Sequence, residues 1–331
     1  MEVKGNAVLK VKDLNVCAGE KKILRDISFN LEKNDILGLI GETGAGKSVL
    51  IDALGCNSAQ GLQVSSEEIR YLLDTEEVNL PDHGAEDLQE NYWGKKIAFI
   101  LSNARSRFNP IIPVGETFID ILMSNFPTMT KQEAANKAQE FFKLVQMPDP
   151  ANNMNSFPQE LSGGMVQRVE IAIALSLSPK FLLMDEPTMG LDVTVQRQIL
   201  DLMADLVEDI DSTIVIATRD LGIVANYCNK IAVMHNGEIV EFCGVHEFFD
   251  NPQHLYSEYM LKIAFASNNK EITSSDRIIT REGLEQLEGC FCEKACAFAT
   301  DQCRNIHPQM VKFSDGHYVR CNRFEQKEAT T

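Results

Sequence analysis

The stretch Ile36-Leu-Gly-Leu-Ile40-Gly41-Glu42-Thr43-Gly44-Ala45-Gly46-Lys47-Ser48 decides the fold. Its first five residues form an unbroken apolar run, the mark of a strand covered on both faces. The next eight satisfy Gly-x4-Gly-Lys-Ser at every required place, between that strand and a predicted helix. Glycines there let backbone amides turn inward around a phosphate at the positive end of a helix. Gly41, Glu42, Thr43, Gly44, Ala45 and Gly46 are expected to cradle the phosphates of ATP. Lys47 is expected to reach the β- and γ-phosphates, and the Ser48 hydroxyl to coordinate Mg²⁺.

Such a loop needs an acidic counterpart, and Phe181-Leu-Leu-Met-Asp185-Glu186 supplies one: an apolar strand ending in two carboxylates. Asp185 is placed to hold Mg²⁺, and Glu186 to polarise the attacking water as general base. Two acids at a strand end also suit a solvated turn, a weaker reading beside the upstream loop. Further strands fall at residues 8–16, Ile27–Leu31, Thr213–Ala217 and Ile231–Met234, the last two separated by a helical stretch. Helices are expected over 131–146 and from Ser162 to about Ser176, and residues 60–95 read as short strands and surface loop. Strands alternating with helices imply an α/β fold with a mostly parallel sheet.

The 331 residues are 44% hydrophobic and 24% charged, which suits a soluble globular chain able to bury a full core. A net charge of −17 would repel nucleic-acid phosphates, so no nucleic-acid partner is expected. The apolar runs are strand-sized, too short to cross a bilayer, and no secretory signal is legible. A cytosolic chain follows as the expectation, with any membrane contact made through a partner. Nine cysteines in such a chain point to thiols or metal ligands rather than disulfides. Four are scattered, at Cys17, Cys56, Cys228 and Cys243; Cys290, Cys292, Cys296, Cys303 and Cys321 crowd the C-terminal stretch.

Leu161-Ser162-Gly163-Gly164-Met165-Val166-Gln167-Arg168 resembles the signature motif of ABC ATPases, and Gly190-Leu191-Asp192 resembles their D-loop. The resemblance runs from about residue 8 to 264, with phosphate loop, signature and acidic strand in the family's order. It implies a P-loop NTPase ABC domain over 1–264 with an inserted helical subdomain at about 110–178. It also implies that Ser162 and its glycines, with Leu161, Met165 and Gln167, face the γ-phosphate held by a second ATPase subunit, with Asp192 reaching across. Phe108-Asn109-Pro110, Val114-Gly115-Glu116, Ser156-Phe157-Pro158-Gln159-Glu160 and His254-Leu255-Tyr256 are similar to the peptide-importer branch. That branch works as paired ATPases beneath two membrane permeases, fed by an extracytoplasmic solute-binding protein. The implied position is peripheral, at the cytoplasmic face of the inner membrane. Import of nickel or another small solute, a soluble role without a permease, and a non-hydrolysing regulatory role remain alternatives.

Three positions depart from the pattern. The Q-loop glutamine falls at Ser102, the switch histidine at Arg219, and the adenine-stacking aromatic near Cys17. Arg219 carries a permanent charge and cannot shuttle a proton. The expectation is an asymmetric heterodimer in which this chain's own site holds ATP and turns it over slowly. Its intact signature then completes the partner's site.

Residues 265–289 read as a polar linker, and 290–331 as a Cys-rich C-terminal extension. Cys290, Cys296, Cys303 and Cys321 resemble, position by position, four cysteines that hold a [4Fe–4S] cluster in some peptide-importer ATPases. Cys292 is an extra. Four thiolates also suit zinc, and the alternative to both is a set of unligated buried thiols.

Overall fold

A computed structural model describes residues 7–57, 61–210, 212–265 and 288–324. All but the ends of the expected linker lies outside these residues. β1 (Ala7–Ala18) and β2 (Lys21–Glu32) are joined by only Gly19 and Glu20, a connection that forces antiparallel pairing. β1 buries Leu9 and Val11, then Leu14 and Val16: the alternation slips by one at a bulge, where Asp13 takes a φ of +50°. β4 (Leu62–Ser65), β5 (Glu68–Leu73) and β6 (Glu76–Asn79) complete an antiparallel sheet in which β4 and β5 pair with β1, and β6 with β5. This separate antiparallel sheet is absent from the sequence expectation of one mostly parallel sheet.

The second sheet centres on β3 (Ile36–Ile40). In order it runs β12 (Met310–Ser314), β13 (His317–Arg320), β11 (Glu238–Gly244), β10 (Lys230–His235), β3, β9 (Thr213–Ala217), β8 (Phe181–Asp185) and β7 (Ile97–Ile100). The five strands from β10 to β7 are parallel and the other three antiparallel. Every residue of β8 and β9 is buried, which is why they read as continuous apolar runs. The helix Lys47–Leu54 packs Leu50, Ile51, Ala53 and Leu54 into the core between the sheets.

Three helices, Val114–Asn125, Lys131–Leu144 and Gly163–Ser176, pack together around Phe118, Phe142, Val166 and Val169. Thr130 and Glu133 form a reciprocal capping box that starts the second of them. The third begins one residue later than the sequence suggests, because Ser162 is its cap: the Ser162 hydroxyl accepts the Met165 amide at 3.2 Å. Among the described residues no helix is long and apolar enough to cross a membrane.

Candidate functional site

Four neighbouring parallel strands deliver their carboxyl ends to one place, the usual position of a site in an open α/β sheet. β3 ends in the loop Gly41–Ser48, β8 in Asp185 and Glu186, β9 leads to Arg219, and β7 to Ser102. Gly41 is required by closeness: a Cβ there would lie 2.3 Å from the Met234 carbonyl oxygen. Gly46 is required by conformation, since it caps the helix with a φ of +105°. Lys47 is buried and folds its Nζ back onto the carbonyls of Gly41 (2.6 Å) and Glu42 (3.1 Å). Burial lowers its pKa, while Glu186 and Asp185 pull the other way. Ser48 is exposed beside it.

Asp185 is buried. The Ser102 hydroxyl donates to its Oδ2 at 3.0 Å, whereas its Oδ1 is buried with no hydrogen-bond partner. An anionic oxygen left bare in this way suits a bound cation, and Ser48 and Asp185 are the side chains offered for Mg²⁺. Glu186 adopts a φ of +47°, a region that non-glycine residues occupy at a cost and that clusters at functional sites. Its carboxylate accepts from Arg219 Nε at 3.1 Å, and Arg219 Nη1 reaches Thr43 Oγ1 in the phosphate loop at 3.4 Å. Ser102 and Arg219, expected from the sequence at the Q-loop and switch positions, therefore each bind one of the two acids.

The residues expected to form the signature line a cleft of about 540 Å³ that Ser102 and Glu186 also line, and Lys47 and the phosphate loop do not. Ser162, Gly163, Gly164, Met165 and Gln167 line it together with Gly190 and Asp192. A Cβ on Gly164 would come within 3.0 Å of the Gly190 carbonyl oxygen, so signature and D-loop touch. Leu161 is buried and accepts Arg105 Nη2 through its carbonyl at 2.5 Å. Asp192 Oδ1 caps the following helix by accepting the Val195 amide at 3.0 Å, and Arg168 approaches its other oxygen at 3.6 Å. Cys17 sits near the end of β1, paired with Lys22 and Gln63.

Sequence reasoning missed three side chains. Asp52, in the helix after the loop, is pushed up to about 6 by burial and by the Asp185 carboxylate. Arg107 binds Glu170 of the signature helix at 2.6 Å. Tyr256 accepts the Glu42 amide at 3.2 Å. The basic pair Arg105 and Arg107 beside Ser102 was the available signal for the second, and His254-Leu255-Tyr256, read above only as a branch resemblance, for the third; no local pattern marks Asp52.

The cysteines of the C-terminal stretch come together. The Cys290 amide donates to the Cys303 carbonyl at 2.8 Å. Burial raises Cys321, and Cys290, Cys296 and Cys303 add to the rise. Cys292 is buried in the core that also holds Tyr256. Tetrahedral zinc with bonds near 2.3 Å needs sulfurs about 3.8 Å apart. Among the described residues the group that brings three ligand-type atoms within 4.8 Å of one another is Glu241, Cys243 and His317.

Residues 24–189 match the ABC transporter family. The chain is 40% identical over 258 residues to the dipeptide transport ATP-binding protein DppD of Lactococcus lactis subsp. cremoris (strain MG1363), across 76% of this chain and 71% of that protein. It is 34% identical over 327 residues to the oligopeptide transport ATP-binding protein OppD of Bacillus subtilis (strain 168), across 95% and 88%. Among solved structures it resembles the ATP-binding cassette MJ0796 in a dimeric post-hydrolysis state bound to ADP and Pi, with a TM-score of 0.62 and 25% identity over 72% of this chain and 98% of that one. A sheet that gathers a phosphate loop and two acids at its strand ends, matched along most of its length by these relatives, leaves one assignment: the chain belongs to the ABC transporter family, among its ATPases.

Proposed function

We propose that this chain is an ATP-hydrolysing subunit of a peptide importer. It would work at the cytoplasmic face of the inner membrane with a second ATPase subunit, two permeases and an extracytoplasmic solute-binding protein. The observation that carries the reading is the bare Asp185 Oδ1 beside Glu186 at the mouth of the loop Gly41–Ser48. Dipeptide and oligopeptide transport in the names of its relatives supports the solute class.

In this reading Lys47 leaves the loop carbonyls for the phosphates of ATP, and the amides of the loop hold the β-phosphate. Ser48 and Asp185 would hold Mg²⁺, which would supply neutralisation of the charge developing on the phosphates. Glu186 accepts a proton from the attacking water once Arg219 releases its carboxylate. The Arg219 contact with Glu186, beside an intact signature, supports a division of labour: Ser162 and its glycines serve the partner's ATP, while turnover here is slowed. In the cysteine stretch, the gathering of Cys290, Cys296, Cys303 and Cys321, with their position-by-position resemblance to cluster-holding cysteines, is what supports a [4Fe–4S] cluster there. Such a cluster would give anaerobically purified protein a visible iron–sulfur absorbance; colourless, zinc-containing protein would remove it.

The division of labour is tested in the assembled transporter by Glu186→Gln and, separately, Ser162→Arg. The signature variant is expected to abolish most turnover and the Glu186 variant to spare most of it; equal losses would sink the asymmetry. Failure of Lys47→Ala to weaken ATP binding would sink the site itself.

A further inference from the structure

The cysteine-bearing segment touches the phosphate loop through a column of packed rings. Phe291, between Cys290 and Cys292, sets its ring 6.0 Å from that of His235, at an interplanar angle of 75°. The His235 ring lies 4.3 Å from that of Tyr256. The Tyr256 hydroxyl then accepts the Glu42 amide at 3.2 Å, inside the loop. All three rings are buried, Tyr256 completely. The loop leans on the same strand end: Gly41 lies against the Met234 carbonyl, and the Gly237 amide donates to the Ala45 carbonyl at 2.9 Å. A second tie reaches the same tyrosine from β13. His317 Nε2 meets Glu241 Oε1 at 2.7 Å, Glu241 Oε2 accepts the His254 amide at 3.0 Å, and His254 Nδ1 accepts the Tyr256 amide at 3.2 Å.

We propose that Tyr256 is a positioning residue for the nucleotide loop, and that Phe291 and His235 join it to the C-terminal cysteine segment, so that the seating of that segment sets nucleotide affinity. Close-packed interiors transmit displacement, because a ring cannot move without its neighbour moving. The Tyr256 hydroxyl fixes the direction of one loop amide, and a single neutral hydrogen bond is worth about three- to ten-fold in an equilibrium. The inference rests on Gly41–Ser48 being the ATP loop.

The test uses the full chain with Tyr256→Phe, Phe291→Leu and the two combined. Two quantities are read: the Kd for a fluorescent ATP analogue, and amide hydrogen exchange of the nucleotide-free peptide containing Glu42. Each single change is expected to weaken binding about three- to ten-fold and to speed exchange. The double variant is expected to be no worse than the worse single, as coupled residues behave. Phe298→Leu, in the same segment but 59% exposed, should leave both quantities alone. Phe291→Met, whose flexible side chain adapts to the gap, replaces the leucine variant if that one does not fold. The proposal is overturned if the Phe291 variant changes neither quantity, or if the two effects multiply in the double. If the wild-type chain does not bind the analogue at all, the reading of the loop fails, and the exchange measurement still judges the coupling.

Discussion

Arg219 Nε donates to Glu186 Oε1 at 3.1 Å, so the residue at the switch position holds the carboxylate assigned to the attacking water. Arg219 is more than half exposed, and an ion pair of that kind contributes at most about 1 kcal/mol to stability. Its effect belongs to the chemistry instead. The guanidinium occupies a carboxylate oxygen that the attacking water would otherwise meet, and the same arginine bridges to Thr43 at 3.4 Å.

Arg219→His should therefore raise turnover at this chain's own site roughly ten-fold, a part of the ~10²–10⁴-fold that a general base supplies. The measurement is ATP hydrolysis by the assembled transporter with the partner ATPase's site inactivated. Tm should move by no more than about 4 °C. Unchanged or slower hydrolysis would show that Arg219 does not restrain Glu186.

The Ser102 hydroxyl orients Asp185 through a bond of 3.0 Å to a charged oxygen, a class worth about 1.5–3 kcal/mol. Ser102→Ala should raise the half-saturating Mg²⁺ concentration for ATP hydrolysis by about ten-fold. ATP binding without Mg²⁺ should be unaffected. A Mg²⁺ titration of both proteins decides it; equal midpoints would detach Ser102 from the metal site.

The phosphate loop and acidic strand were legible because both follow short parallel strands buried along all or nearly all of their length, where apolar runs and the residues that end them are local features. The antiparallel sheet was only partly legible. Its bulge at Asp13 breaks the alternation of β1, and β4 to β6 are short and half exposed. Ser102 and Arg219 were visible as departures, but their bonds to Asp185 and Glu186 span 83 and 33 residues and follow from strand order alone. The union of the C-terminal hairpin with β11 depends on Glu241 and His317, 76 residues apart, and no periodicity announces such a pair.

Burial raises the Glu170 carboxyl to about 7, against the pull of Arg107. A carboxyl raised in the folded state stabilises most when protonated. That contribution is full below its ordinary value near 4.5 and is lost as pH rises to about 7. Glu170→Gln mimics the protonated form, so its stability relative to wild type should climb from pH 5 to pH 8 by up to about 3 kcal/mol. Urea unfolding at the two pH values checks this; a constant difference would contradict the burial account.

Glu241 is completely buried and accepts the Gln253 amide at 2.8 Å, the His254 amide at 3.0 Å and His317 Nε2 at 2.7 Å. Burial alone would raise its pKa, yet the bonds from His317, Ser257 and the two amides bring it below its ordinary value. His317→Ala strips one side of this pairing from a charge that water cannot reach, a loss of about 3–5 kcal/mol. His317→Gln keeps a donor and should lose less. Adding Glu241→Gln to His317→Ala removes the stranded charge, so the double variant should be less destabilised than the two single losses summed. Urea midpoints for the four proteins measure the coupling. Additive losses would mean that the C-terminal hairpin is held to β11 by its strand pairing and not by this buried pair.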